Sequence, residues 1–189
     1  MAFENYKTKE SVVIVYTGEG KGKTSAAVGL TARALGDGWR VAFIQFIKHW
    51  DVSEHEFFKK IQMLLGNQLF FYKGGKGFYN AGSLSAENIT KAQHKKAAKK
   101  TYEVALQAVE SGRFGLVVCD EISNAVFEGL LPKSTLIDLI DKRSPKTSIC
   151  LTGRNFPKEL LDKADIATSM TKLRHHFDEK YLANKGIDF

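Results

Sequence analysis

Residues 12–16, Val-Val-Ile-Val-Tyr, run directly into Thr17-Gly18-Glu19-Gly20-Lys21-Gly22-Lys23-Thr24, and that loop opens the helix-like segment Ser25-Ala26-Ala27-Val28-Gly29-Leu30. A strand, a glycine-rich turn ending Gly-Lys-Thr and a helix together describe a phosphate-binding P-loop. Glycines let successive backbone N–H groups turn inward onto phosphate oxygens, and the helix N-terminus adds positive potential. Lys23 would reach the terminal phosphates as a point charge, and the Thr24 hydroxyl would hold Mg²⁺. The simpler alternative is an ordinary glycine-rich turn with chance lysines, and the flanking strand and helix argue against it. Two features depart from the strict pattern. Thr17 stands where the first glycine belongs, and the loop carries a second lysine, Lys21.

The rest of the chain repeats the same alternation of apolar runs and helix-like segments. The P-loop helix is expected over about 23–35, stopping near Gly36-Asp37-Gly38. Strands are expected at 40–46, 68–72, 115–119, 147–151 and 166–168. A helix over 54–65 ends at Gly66-Asn67, and Ser85 can cap a long helix running to about 109. Pro132 and Ser134 mark another helix to about 141, and a short one covers 157–163. The strands read as continuous apolar runs, so both sheet faces are covered. Alternating β and α elements imply a mainly parallel sheet with right-handed crossovers, a three-layer α/β/α arrangement. With its loop this is the P-loop NTPase (RecA-like) architecture. Ligands in such sheets bind beyond the carboxyl ends of the strands. The loop, Phe46-Ile47-Lys48, Asp120-Glu121 and Thr152-Gly153-Arg154 all fall there and can converge on one site.

Composition narrows the class. The 189 residues, 43% hydrophobic and 26% charged, suit one soluble domain over 1–189. No stretch approaches the ~18 continuous apolar residues of a membrane span, and residues 1–10 lack the apolar core of a secretory signal. Cys119 and Cys150 each sit in an apolar run, which predicts buried free thiols and a cytoplasmic location. The net charge is +7, compatible with an anionic small molecule or a nucleic acid. Lys91, Lys95, Lys96, Lys99 and Lys100 recur at helical spacing, as a solvated helix face would. No zinc-finger spacing or aromatic RNA-binding signature accompanies them, so nucleic acid is not the expected partner.

Leu116-Val117-Val118-Cys119-Asp120-Glu121 is a Walker-B-like strand end, whose carboxylate can reach the Mg²⁺ that bridges nucleotide phosphates. Two adjacent acids let one serve the metal while the other positions a second group. Taken alone they could equally cap the next helix. Arg33 on the P-loop helix and Arg154 after the fifth strand are each able to bind a phosphate or to serve only as a helix or turn charge. His49, His55, His94, His175 and His176 form no spaced metal site. These residues define an Mg-nucleotide-binding α/β protein, without choosing between hydrolysis, phosphoryl transfer and another reaction.

Several separated segments, spread over nearly the whole chain, make it resemble the P-loop-type corrinoid adenosyltransferases. They are the Thr-Gly-x-Gly-Lys-Gly-Lys-Thr loop at Thr17 to Thr24, Arg33-Ala34-Leu35-Gly36, and Gln45-Phe46-Ile47-Lys48. Gly77-Phe78, Asp120-Glu121, Thr152-Gly153-Arg154, His175 to Asp178 and Gly186 to Phe189 complete the set. The resemblance implies transfer of the 5′-deoxyadenosyl group of ATP to reduced cobalt, making adenosylcobalamin or adenosylcobyrinic acid a,c-diamide and releasing triphosphate. It implies ATP held by Gly18, Glu19, Gly20, Lys21, Gly22, Lys23, Thr24, Ser25 and Arg33, with Mg²⁺ on Thr24 and Glu121 or Asp120. Lys23 and Phe78 would be the catalytic residues, Phe78 displacing the corrinoid's lower axial ligand. Tyr79, Lys48 and Arg154 would join Phe78 at the corrinoid. A flavoprotein reductant such as flavodoxin, and a homodimer, are implied in the same way. The chain departs from some family members at Asn80, where they carry tryptophan, and in its short segment before the first strand; Tyr79 or Trp50 would compensate.

Two other functions stay open on the residues alone. One is an Mg-dependent ATPase or nucleotide kinase with Glu121 activating water. The other is an ATP-dependent nucleic-acid-binding module using the lysine-rich helix.

Overall fold

The computed structural model describes residues 4–48, 51–77 and 89–188. Its strands are β1 (Val13–Thr17), β2 (Val41–Gln45), β3 (Leu69–Lys73), β4 (Leu116–Asp120), β5 (Ser148–Thr152) and β6 (Ile166–Ser169). They form one sheet in the order β3-β2-β4-β5-β1-β6, and every strand pair among the described residues is parallel. The helices are α1 (Lys23–Gly36), α2 (Ser53–Leu65), α3 (Lys91–Glu110), α4 (Ile122–Phe127) and α5 (Ser134–Asp141). This is the three-layer α/β/α arrangement that the alternation predicts, with strand bounds displaced by about one residue.

Side chains alternate across a strand, so each strand feeds two cores. Ile14, Val41, Phe43, Leu116, Val118 and Cys150 pack with Ala27 and Ala34 of α1 and Phe58 of α2. Val13, Val15, Ala42, Ile44, Val117, Cys119 and Leu151 pack on the other side with Ala105 and Val109 of α3 and Leu136 and Leu139 of α5. Both cysteines are free and buried, as their apolar settings predict. Among the described residues no helix is long and apolar enough to cross a membrane.

Three elements differ from the sequence expectation. α3 begins at Lys91, not after Ser85, which lies outside the described residues. Its cap is Thr90, whose Oγ1 accepts from the Gln93 N–H (3.3 Å) while Gln93 Oε1 accepts from the Thr90 N–H (2.8 Å). That reciprocal box satisfies two end groups. α4 follows Asp120-Glu121, where the sequence allows a helix cap; Glu121 occupies the N-cap position without a side-chain cap bond, and burial of Ile122 and Ala125 one turn apart holds the helix against the sheet. The segment 157–163 is a 3₁₀ helix over Lys158–Lys163. On α3, Lys91, Lys95, Lys96, Lys99 and Lys100 are exposed, while His94 and Ala98 are buried.

The glycine-rich loop after β1 is welded to the sheet edge. The Gly20 N–H donates to the Met170 carbonyl (2.7 Å) and the Met170 N–H to the Thr17 carbonyl (2.8 Å). Gly18 has φ +94°, and a Cβ there would stand 2.4 Å from the Met170 oxygen. Gly18→Ala is therefore expected to cost about 2–3 kcal/mol in equilibrium urea unfolding; a loss below about 0.5 kcal/mol would contradict this contact.

Candidate functional site

Strand parity and register assemble the site. Gln45 and Asp120 end β2 and β4 and are paired in register. Both share the α1/α2 face with Phe43 and Val118, as does Thr152 with Cys150 on β5. The first turn of α1 points Thr24 at the same place. Its hydroxyl donates to the Asp120 carboxylate at 3.1 and 3.2 Å. Asp120 also accepts from Gln45 Nε2 (2.9 Å) and Thr152 Oγ1 (2.7 Å), and is fully buried. Burial pushes its carboxyl above the usual range, against the pull of Gln45, Thr152, Lys48 and Thr24.

Behind Gln45 lies a buried relay that sequence reasoning missed. The Val52 N–H points at His55 Nδ1 (3.4 Å), and His55 Nε2 lies 2.6 Å from Gln45 Oε1. Burial, then the Lys73 ammonium, lowers the His55 pKa, while the Asp51 carboxylate lies 3.5 Å from Nδ1. Gln45 turns its NH₂ toward Asp120 and its carbonyl oxygen toward His55 Nε2. A polar residue closing an apolar strand, in register with an acid, is the signal that marks Gln45.

Glu121 has φ +60°, an uncommon backbone for a non-glycine residue. Its N–H donates to Thr152 Oγ1 (2.9 Å), and its buried Oε2 has no partner among the described residues. Burial, then the Asp120 charge, raises its pKa to about 7. Lys48, its side chain only 12% exposed, pairs with Glu54 at 3.1 Å. Burial alone would lower the Lys48 ammonium; Glu121, Glu54 and Asp120 outweigh it and hold it above its ordinary value. Lys48 thus turns inward to the acidic group.

In the loop, Lys23 Nζ donates to the Gly18 and Gly20 carbonyls (2.7 and 2.6 Å). Burial, then the neighbouring Arg154 charge, lowers its pKa. Gly22 caps α1 in the left-handed conformation, and Ser25 is exposed in the first turn. Arg154 Nε lies 3.6 Å from Glu19 Oε2 at the mouth of the loop, with its N–H held by Asn124 Oδ1 (2.6 Å). Lys21 turns the other way, to Asp188 at 2.5 Å. Arg33 is not brought to the loop: it is exposed in the last turn of α1, ten residues from Lys23, or about 15 Å along the axis. Phe78, Tyr79, Asn80 and Trp50 lie outside the described residues. The Gly77 N–H bonds the carbonyl of Ile47, the residue before Lys48 (2.8 Å).

Thr24, Asp120 and Glu121 together could hold a hard divalent cation. A hydroxyl, a buried carboxylate beside it and an unpartnered Glu121 oxygen are hard oxygen donors. Among the described residues no group of three His, Cys, Asp or Glu converges.

The family model described as ATP:corrinoid adenosyltransferase BtuR/CobO/CobP matches residues 9–189. A corrinoid adenosyltransferase of Pseudomonas aeruginosa is 31% identical, over 97% of this chain and 86% of its own. One from Sinorhizobium sp. is also 31% identical, over 97% of this chain and 83% of its own. The Salmonella typhimurium corrinoid adenosyltransferase CobA is 29% identical, over 96% and 87%. With the loop, the Thr24–Asp120 pair and the parallel sheet all in place, the chain belongs to the ATP:corrinoid adenosyltransferase family.

Proposed function

We propose that this chain transfers the 5′-deoxyadenosyl group of ATP to the cobalt of a reduced corrinoid and releases triphosphate. The observation that carries the reading is the family match over residues 9–189, laid on a loop whose lysine and threonine converge with Asp120. The electron pair of Co(I) forms the cobalt–carbon bond at C5′. The C5′–O bond breaks, and its pair leaves on the α-phosphate oxygen. The nucleophile is the substrate itself, so no protein base is required. What the protein supplies is stabilisation of the departing triphosphate. The amides of residues 18, 19, 21 and 22 and Lys23 would face that charge, with Ser25 at the helix start and Glu19 at the rim; the Gly20 N–H is held by Met170, and Lys21 would have to leave Asp188 to join them. Mg²⁺, held by Thr24 and Asp120 with Glu121 nearby, would neutralise phosphate charge. Arg33 is included from the family pattern alone. Phe78, Tyr79 and Arg154 would meet the corrinoid, while Lys48 lies deeper and balances the acids.

One domain, a reducing cytoplasm and a flavoprotein reductant such as flavodoxin complete the proposal. A homodimer is supported by the exposed apolar side chains of Leu173, Phe177, Tyr181, Leu182 and Ile187. A second reading, an ATPase or kinase, draws on Glu121, whose strained backbone and pKa of about 7 suit a base. Phosphorus NMR of the products separates the two. Adenosyl transfer yields intact triphosphate only when reduced corrinoid is present; ADP and phosphate formed without corrinoid would contradict it.

His55→Phe keeps a ring among Phe58 and Phe71 but frees the Gln45 amide. The Mg²⁺ concentration for half-maximal ATP binding, followed by calorimetry, is expected to rise about tenfold. An unchanged metal requirement would mean the relay does not orient Asp120.

A further inference from the structure

We propose that Lys21, His175 and His176 form a phosphate subsite beside the loop, filled by the Asp188 carboxylate in the free chain and taken over by a phosphate of the bound polyphosphate. The inference rests on the reading of residues 17–24 as a polyphosphate cradle. The Asp188 side chain is only 7% exposed and lies 2.5 Å from Lys21 Nζ. Its other oxygen accepts from the Asn184 N–H (2.8 Å). His175 Nε2 and His176 Nε2 stand 3.9 and 3.5 Å from the carboxylate. His175 Nδ1 accepts from the Phe177 N–H (3.1 Å), so its Nε2 carries the proton and faces Asp188 as a donor. Lys21 Nζ also donates to the Ile187 carbonyl (3.0 Å).

These groups line a cavity of about 450 Å³ with Arg174 and Glu179, which are paired with each other at 2.5 Å. Once Asp188 leaves, the donors around its place are Lys21 and His175 Nε2, joined by His176 Nε2 when it gives up its contact with the Leu182 carbonyl (3.1 Å), a set suited to phosphate oxygens. Lys21 follows Gly20, whose N–H is tied to Met170, so the subsite and the cradle share one rigid loop. The Lys21 ammonium, then the Asn184 N–H, hold the Asp188 pKa near 2, which keeps the occupant anionic.

The test is calorimetric binding of inorganic tripolyphosphate to the full chain. Asp188→Asn, nearly isosteric, is expected to bind about fivefold tighter. His176→Ala binds several-fold weaker, and in a Lys21→Ala background Asp188→Asn has no effect. In the unmutated chain, tripolyphosphate is expected to speed hydrogen exchange at the Asn184 amide. Unchanged or weaker binding by Asp188→Asn, or unchanged exchange at Asn184, overturns the subsite. If Lys23→Ala loses binding while Asp188→Asn gains none, the subsite falls and the proposed function stands. If Lys23→Ala binds normally, the cradle reading itself falls, and the subsite with it.

Discussion

Lys23→Ala is expected to lower corrinoid-dependent turnover by at least about 10²-fold while the fold persists. Lys23 is half-buried among loop carbonyls, and its ammonium is already strained by burial and by Arg154. An anion arriving in the loop relieves both, so the charge contributes most when triphosphate is present or departing. The substitution releases the carbonyls of half-buried Gly18 and buried Gly20. The stability loss should be about 1–2 kcal/mol. Turnover with cob(I)alamin and a thermal melt check the two halves. Near-normal turnover would mean that the loop is not the triphosphate cradle.

Asp120→Asn should separate function from stability in a different way. The carboxylate is the meeting point of Gln45, Thr152 and Thr24, and replacing it is expected to weaken Mg-dependent ATP binding by about 10- to 100-fold. Its burial makes the charge costly to the free protein. A carboxyl with a raised folded pKa favours the folded state when protonated, so its contribution is fully present below the unfolded value and is lost as pH rises. Asp120 shifts in this direction, and so does Glu121, from 4.5 to about 7. Stability of the metal-free protein should therefore decline as pH climbs from about 4 toward 7, less steeply in Asp120→Asn. Urea unfolding across that range measures it. A variant that binds Mg·ATP normally would remove Asp120 from the metal site.

The sheet was legible because buried parallel strands are written as unbroken apolar runs, and the loop because its glycines sit where φ must be positive or backbone must approach closely. Asp120 and Thr152 were placed at strand ends by the same runs. Their convergence with Gln45 follows from parity, a rule the sequence carries but which needs the strand order to become a contact. α4 was only hinted at by the acids that could cap a next helix, since six residues after a left-handed Glu121 carry too short a pattern to mark its extent. Thr90 prevailed over Ser85 because Gln93 completes its capping box. His55 looked like one of five scattered histidines until α2 packed it against β2. Asp188 reaches Lys21 from the far end of the chain, a contact local spacing does not encode. The family resemblance supplied the chemistry of cobalt, which no residue pattern here states by itself.

The most direct test of adenosyl transfer is the corrinoid spectrum during incubation with ATP, Mg²⁺ and chemically reduced cob(I)alamin. The cob(I)alamin bands are expected to give way to those of adenosylcobalamin, with one triphosphate released per cobalt–carbon bond. An unchanged cob(I)alamin spectrum, with phosphate released from ATP whether or not corrinoid is present, would contradict it.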